Sequence, residues 1–235
     1  MSFLLIQQSY QAKLSLFLEK AGAGDWINDC LAKVEFAQQL ERAWGCSDFA
    51  ADQAIGDPQG FRQLLESGDL ERAYSQTTLL ESLQQTISVI PEDDEQALGK
   101  QLRLFRRREM QRIVWRDLNR LADLTETTRD VTLLAEACIN VALSYLHPMV
   151  AKDMGKPLDS DGNEQKLLVI AMGKMGGGEL NLSSDIDLIF AYPEAGETKG
   201  AKRSVSNQQF FERLGQKFIA SLDAQTVDGF VFRVD

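Results

Sequence analysis

Cysteine, histidine and positive charge are all scarce in this 235-residue chain, and each shortage closes off a class of function. The three cysteines, Cys30, Cys46 and Cys138, are scattered, odd in number and without a Cys-x-x-Cys spacing, so neither a disulfide framework nor a zinc site is expected. That usage fits a reducing cytoplasm. His147 is the single histidine, which leaves no His-rich metal centre; beside Pro148 it reads as a structural residue. Lys and Arg number 25 against 35 Asp and Glu, a formal net charge of −10, whereas a general nucleic-acid surface needs concentrated cations. No nucleic-acid partner is expected. Apolar runs of membrane-spanning length are lacking, and no basic lead precedes the short apolar stretch at residues 3–6, so neither a membrane partner nor a leader is expected. Internal repeats and low-complexity tracts are also lacking.

What is present can build a substantial core, with 44% apolar and 26% charged residues in a length that allows one large or two small domains. Residues 1–150 read as a helical region. Within it, 94–123 is a long run of good helix formers with an apolar stripe through Leu102, Phe105, Ile113 and Leu121. A further helix is predicted over 128–145, closed by Pro148. Arg108, Arg112, Arg116 and Arg120 recur every four residues along one helix side, joined by Arg106 and Arg107. A solvated face, paired locally with Glu109 and Asp117, is the expectation for such a run. Residues 152–166 read as a connection; Asp159, Asp161 and Asn163 resemble a calcium loop only loosely, because the glycine is misplaced and Ile170 stands where the closing Glu belongs. Residues 194–203 read as a charged, Gly-containing loop, 207–222 as a helix, and Asp228-Gly229 as a turn.

The densest chemistry lies in AMGKMGGGELNLSSDIDLIFAYP, residues 171–193. Residues 167–172 (LLVIAM) form a short apolar run suited to a buried strand, ended by Gly173. Asp185 and Asp187 lie two apart in a strand-like run and so share a face, with Ile186, Leu188, Phe190 and Tyr192 on the apolar opposite face. Like charges held side by side repel, and no Lys or Arg within that strand neutralises them. Mg²⁺ supplies such charge, because it takes oxygen ligands from a few carboxylates together with substrate phosphates. Gly176, Gly177 and Gly178 let a backbone approach a phosphate, with exposed N–H groups as an anion nest. Lys174, Ser183 and Ser184 are further phosphate-contact candidates. A Walker loop is excluded because Gly173-Lys174 comes first and is followed by Met175; the dinucleotide fingerprint is excluded by Asn181 at its third glycine position. Nucleotidyl transfer is the leading reading.

At these residues the chain resembles the bacterial bifunctional glutamine synthetase adenylyltransferase/adenylyl-removing enzymes. The likeness runs through Gly-Lys-Met-Gly-Gly-Gly-Glu-Leu-Asn and Ser-Ser-Asp-Ile-Asp-Leu-Ile-Phe, reaching Leu-Arg-Leu-Phe-Arg-Arg-Arg from Leu102 and Asp-Gly-Phe-Val-Phe-Arg-Val-Asp ending at Asp235. Ala171 and Met175 depart mildly from the family's common Gly and Leu. The resemblance implies an α+β architecture: a helical region (1–150), then the start of a nucleotidyltransferase domain (151–235) of the DNA polymerase beta-like fold, a mixed sheet with helices that is incomplete at its end. It implies the amino-terminal, adenylyl-removing copy, in which orthophosphate attacks the AMP on a tyrosine of adenylylated glutamine synthetase and ADP leaves; a second copy adds AMP from ATP. Glutamine synthetase, a PII signal protein, ATP, ADP and phosphate are the implied partners. Alternation along 230–235 puts Asp235 with Val231 and Arg233 on one face, and by resemblance Asp235 matches the family's third metal-binding Asp. The expected metal ligands and catalytic groups are therefore Asp185, Asp187 and Asp235, with Gly173, Lys174, Gly176, Gly177, Gly178, Ser183 and Ser184 at the phosphate. A fragment of a longer enzyme is the expectation. A non-catalytic docking module for glutamine synthetase or PII, and a small-molecule nucleotidyltransferase of the same fold, are the alternatives.

Overall fold

The computed structural model describes residues 3–21 and 25–235; the first residues of the chain and 22–24 lie outside that set. It is helix-rich, with two small sheets, an α+β composition. The residues pack as two compact units, Met1–Ala73 with Arg107–Thr127 and Tyr74–Arg106 with Thr128–Asp235.

The first unit is helical: α1 (Phe3–Lys20), α2 (Asp25–Leu31), α3 (Val34–Cys46), α4 (Asp48–Gly56) and α5 (Pro58–Glu66). Local chemistry places the breaks. Ser47 ends α3 and caps α4, its side chain accepting from the Ala50 N–H at 3.2 Å. Asp57 caps α5 by accepting from the Gly60 N–H at 2.9 Å, and Pro58 occupies the first turn, where no N–H is needed. The core is aromatic: Phe17, Trp44 and Phe61 meet one another with centroids 5.2–6.0 Å apart, and Trp115 stacks on Phe36 at 5.7 Å.

Two long helices supply residues to both units, α7 (Glu95–Leu118) and α8 (Leu124–Met154), after the shorter α6 (Thr78–Ile87). Leu102, Phe105 and Ile113 are buried, as the stripe predicts. The arginine face is enclosed at Arg112 and Arg116, whereas Arg120 at its end is exposed. Arg112 is fully buried and donates to Glu109 at 3.0 Å and to the Arg72 carbonyl at 3.3 Å; Arg116 is buried among Glu126 and two backbone carbonyls; Arg108 pairs with Asp69 and Glu109. Carboxylates and carbonyls from distant segments therefore replace water, which spacing within one helix cannot reveal. Burial pushes the Glu109 carboxyl up, against the opposing pull of Arg108 and Arg112. Arg120 ends α7 with φ of 58°, and the Leu121 N–H returns to the Arg116 carbonyl at 2.9 Å in a left-handed cap.

Pro148 does not close α8. It lies inside the helix, which continues to Met154; proline forfeits one N–H donor, and flanking turns carry the helix past it. The helix is also long and apolar enough, by length and composition, to cross a membrane, contrary to the reading of the bare sequence. Half of that window is buried in the protein, with Val131, Leu134, Ala135, Cys138 and Ala142 at or near zero exposure, as in a core helix. The Cys138 thiol is pushed up to about 12 by that burial, and all three cysteines are free. His147 is structural: Nε2 lies 3.0 Å from Glu164 and its ring meets Phe210 edge-on.

In the second unit, β1 (Lys156–Pro157) pairs antiparallel with β4 (Thr198–Lys199), inside the segment read as loop. Asp159 organises a polar turn by accepting from Asp161 and Asn163 N–H groups. The second sheet joins β2 (Leu168–Ala171) antiparallel to β3 (Leu188–Ala191) in the register Leu168↔Ala191 to Ala171↔Leu188. Between them lies the one-turn α9 (Gly173–Gly176), and α10 (Asn207–Asp223) opens with a Ser206/Gln209 capping box. Phe190 meets Phe218 edge-on and Tyr192 stacks on Phe211 at 4.9 Å, so the even-numbered face of β3 packs on α10. The other face is open. Leu168 and Ile170 are about half exposed, so β2 is a one-sided strand and not the fully buried one predicted.

Candidate active site

The carboxylates sit where three chain segments run side by side. Ahead of β3, Ile186 is fully buried while Asp185 and Asp187 are exposed, the alternation an extended run requires. On one flank the Met172 N–H reaches the Asp187 carbonyl at 2.9 Å, extending the ladder with β2. On the other, Ile186 pairs in parallel with Val234: its N–H meets the Arg233 carbonyl at 2.9 Å, and Asp235 exchanges backbone bonds with Ile186 and Leu188 at 3.0 Å. The pairing 186↔234 sets residue 235 beside 187. Asp185, Asp187 and Asp235 therefore share one face, the open one that also carries Leu168, Ile170 and Ile189. Among the described residues, no three carboxylate, His or Cys groups are drawn together into a metal-ligand cluster.

The glycine turn is fitted to this face. Gly173 has φ of 55°, and a Cβ there would stand 2.7 Å from Asp187 Oδ2; a Cβ on Gly176 would stand 2.5 Å from the Ala171 carbonyl oxygen. The backbone donors differ from the expected nest. N–H groups of Gly176, Gly177 and Gly178 turn inward to the carbonyls of Met172, Gly173 and Met175 at 3.0–3.1 Å, because the segment winds into α9. The donors a helix leaves without an internal partner are those of its first turn, Gly173, Lys174 and Met175. Buried Met175 and Leu180 pin the turn from below.

Lys174 Nζ donates to Ser184 Oγ at 3.3 Å, and Ser184 donates to Asn181 Oδ1 at 2.7 Å; the Ser183 N–H reaches the same oxygen at 3.2 Å. Asn181 thus organises Ser183, Ser184 and, through Ser184, Lys174, a role its place between motifs did not disclose. Three other supports were illegible in the sequence. Thr132 Oγ1 on α8 accepts from the Leu180 N–H at 3.1 Å, tying the glycine turn to the core helix. Buried Gln165 and Asn207 both donate to the carbonyls of Leu158 and Glu194, holding the two connections around the sheet. No local pattern in the sequence marks any of the three. Arg233 supplies the cation missing from the Asp185 strand, with Nη1 3.7 Å from Asp185 Oδ1.

An exposed face bearing three carboxylates, beside a lysine, hydroxyls and a helical first turn, can hold a hard cation and an anionic phosphate together. The family model described as GlnE, glutamate-ammonia ligase adenylyltransferase, matches residues 37–235. The chain is similar to curated proteins named bifunctional glutamine synthetase adenylyltransferase/adenylyl-removing enzyme. It is 50% identical to that of Pseudomonas aeruginosa over 202 residues, 86% of this chain and 20% of that protein. For Nitrosococcus oceani the identity is 47% over 208 residues, 88% and 21% of the two chains; for Shewanella oneidensis it is 40% over 240 residues, 99% and 25%. The chain therefore spans about a fifth to a quarter of the length of these relatives.

Proposed function

Since this chain belongs to the family of glutamate-ammonia ligase adenylyltransferases, we propose that residues 151–235 carry the start of a nucleotidyltransferase domain of the DNA polymerase beta-like fold, and 1–150 its helical region. Within a polypeptide of the relatives' length it removes AMP from adenylylated glutamine synthetase. Orthophosphate oxygen attacks the AMP phosphorus, the bond to the tyrosine oxygen breaks, ADP leaves, and the tyrosine oxygen takes up a proton. The companion activity of that polypeptide adds AMP from ATP, a PII signal protein regulates the balance, and the setting is the cytoplasm.

The observation that carries this reading is the parallel pairing of Ile186 with Val234, which sets Asp235 beside Asp187 on the face of Asp185. Three all-oxygen ligands at an exposed sheet end suit Mg²⁺, and Asp185, Asp187 and Asp235 would hold it. When bound, the ion would supply positive charge to the phosphate oxygens and to the leaving oxygen. The first turn of α9, Lys174 and Ser184 orient the attacking phosphate, with Ser183 beside them; Gly173 leaves room for the Asp187 carboxylate, and Gly176, Gly177 and Gly178 shape the turn. The test is phosphate-dependent ADP release from adenylylated glutamine synthetase by a full-length polypeptide containing this chain. Asp185→Asn is expected to lower the rate at least 100-fold, on the scale of removing a principal electrostatic group; unchanged turnover refutes the assignment.

A further inference from the structure

Arg233 has the one ion-pair contact to the three carboxylates among the described residues, and the contact is loose: 3.7 Å to Asp185, with the two side chains 64% and 42% exposed. Its guanidinium is held less by Asp185 than by an aromatic platform, lying 5.4 Å over the Phe230 ring. That platform is itself anchored. Phe230 and Phe232 carry the largely buried Arg106 guanidinium at 5.3 and 5.8 Å, and the N–H groups of Val231 and Phe232 both donate to the Leu222 carbonyl at the end of α10. The segment that delivers Asp235 thus also delivers a positioned, accessible guanidinium to the same sheet edge.

Charge accounting gives this group two states. Three carboxylates and one guanidinium leave a formal −2, the charge a single divalent cation cancels. A cation on the carboxylates removes the attraction that draws Arg233 toward Asp185, and frees a planar fork of N–H donors whose geometry matches phosphate oxygens. We propose that Arg233 is a further binding residue of this site, a counter-ion to Asp185 without metal and a direct ligand of inorganic phosphate once a divalent cation is bound. The inference rests on the reading of the carboxylates as metal ligands, and adds to Lys174 and Ser184 a cation from the segment that carries Asp235.

The two roles predict opposite signs. The 235-residue chain and its Arg233→Gln, Arg233→Lys and Asp185→Asn variants would be titrated with Mn²⁺ by electron paramagnetic resonance of the free ion, then with inorganic phosphate by calorimetry at saturating Mn²⁺. Arg233→Gln is expected to bind Mn²⁺ roughly 3-fold more tightly, since only an exposed pair is removed, and phosphate about 10-fold more weakly. Arg233→Lys is expected to hold Mn²⁺ as the parent does and to recover part of the phosphate affinity. A misfolded variant would weaken both ligands. Unchanged phosphate affinity in Arg233→Gln, or no recovery of phosphate affinity in an Arg233→Lys variant that holds Mn²⁺ as the parent does, overturns the inference while leaving the metal reading intact. No Mn²⁺ uptake by the parent, or equal uptake by Asp185→Asn, overturns the metal reading and this inference with it.

Discussion

Replacing Arg116 by Met separates a buried structural guanidinium from a solvated helix face. Arg116 Nε donates to Glu126 at 2.9 Å, and its two terminal nitrogens donate to the carbonyls of Leu70 and Leu121, each at 3.1 Å. Its side chain is 4% exposed and that of Glu126 is 19%. Met keeps the volume and the helix propensity, so the loss isolates the polar contacts. Two carbonyls lose their donor, at about 1–3 kcal/mol each where water cannot replace it, and a largely buried carboxylate loses its counter-ion. The total is about 3–5 kcal/mol, the range for breaking a buried pair from one side. With a urea dependence of about 2 kcal/mol per M, the midpoint falls by about 2 M. All three tryptophans, Trp26, Trp44 and Trp115, lie in the first packing unit with Arg116, so tryptophan fluorescence follows the unit that is perturbed. A midpoint change below about 0.3 M, as for an exposed substitution, would refute the reasoning.

Two further outcomes follow from the site and its surroundings. Gly173→Ala places a Cβ at left-handed φ against Asp187, so a stability loss of about 1–2 kcal/mol and a several-fold weaker Mn²⁺ affinity are expected; calorimetry and thermal melts matching the parent would contradict this. Glu164 is held below the usual carboxylate range by the hydrogen bond from Lys156 and then by His147. A depressed carboxyl stabilises fully above its unfolded value, near ~4.3, and that stability disappears as pH falls through the lower folded value. Melting temperature measured from about pH 6 to pH 2 should therefore fall less steeply in Glu164→Gln than in the parent, and parallel curves would count against the pairing.

Much of the site was legible because its signals are local. A two-residue spacing puts Asp185 and Asp187 on one face whatever surrounds them, and the glycine break ends β2 at the turn. The helix over 207–222 was legible between a charged loop and the Asp228-Gly229 turn, and α10 follows it to within a residue. Arg112 and Arg116 were misread because their partners, the Arg72 and Leu70 carbonyls, lie some forty residues away. Pro148 was misread as a stop because one missing donor is tolerable within a helix whose neighbouring turns are packed.

By itself, the amino-acid order determined the helical and strand-forming segments, the shared face of two carboxylates, and the family to which the chain belongs, all of which depend on neighbours within a few residues. Only the tertiary structure decided that Val234 lies parallel to Ile186, bringing Asp235 and Arg233 to that face, that Thr132 and Leu180 tie the glycine turn to α8, and that Arg112 and Arg116 are enclosed. Those outcomes depend on which distant carbonyls and carboxylates pair inside a folded chain, and pairing across such separations leaves no periodicity to read.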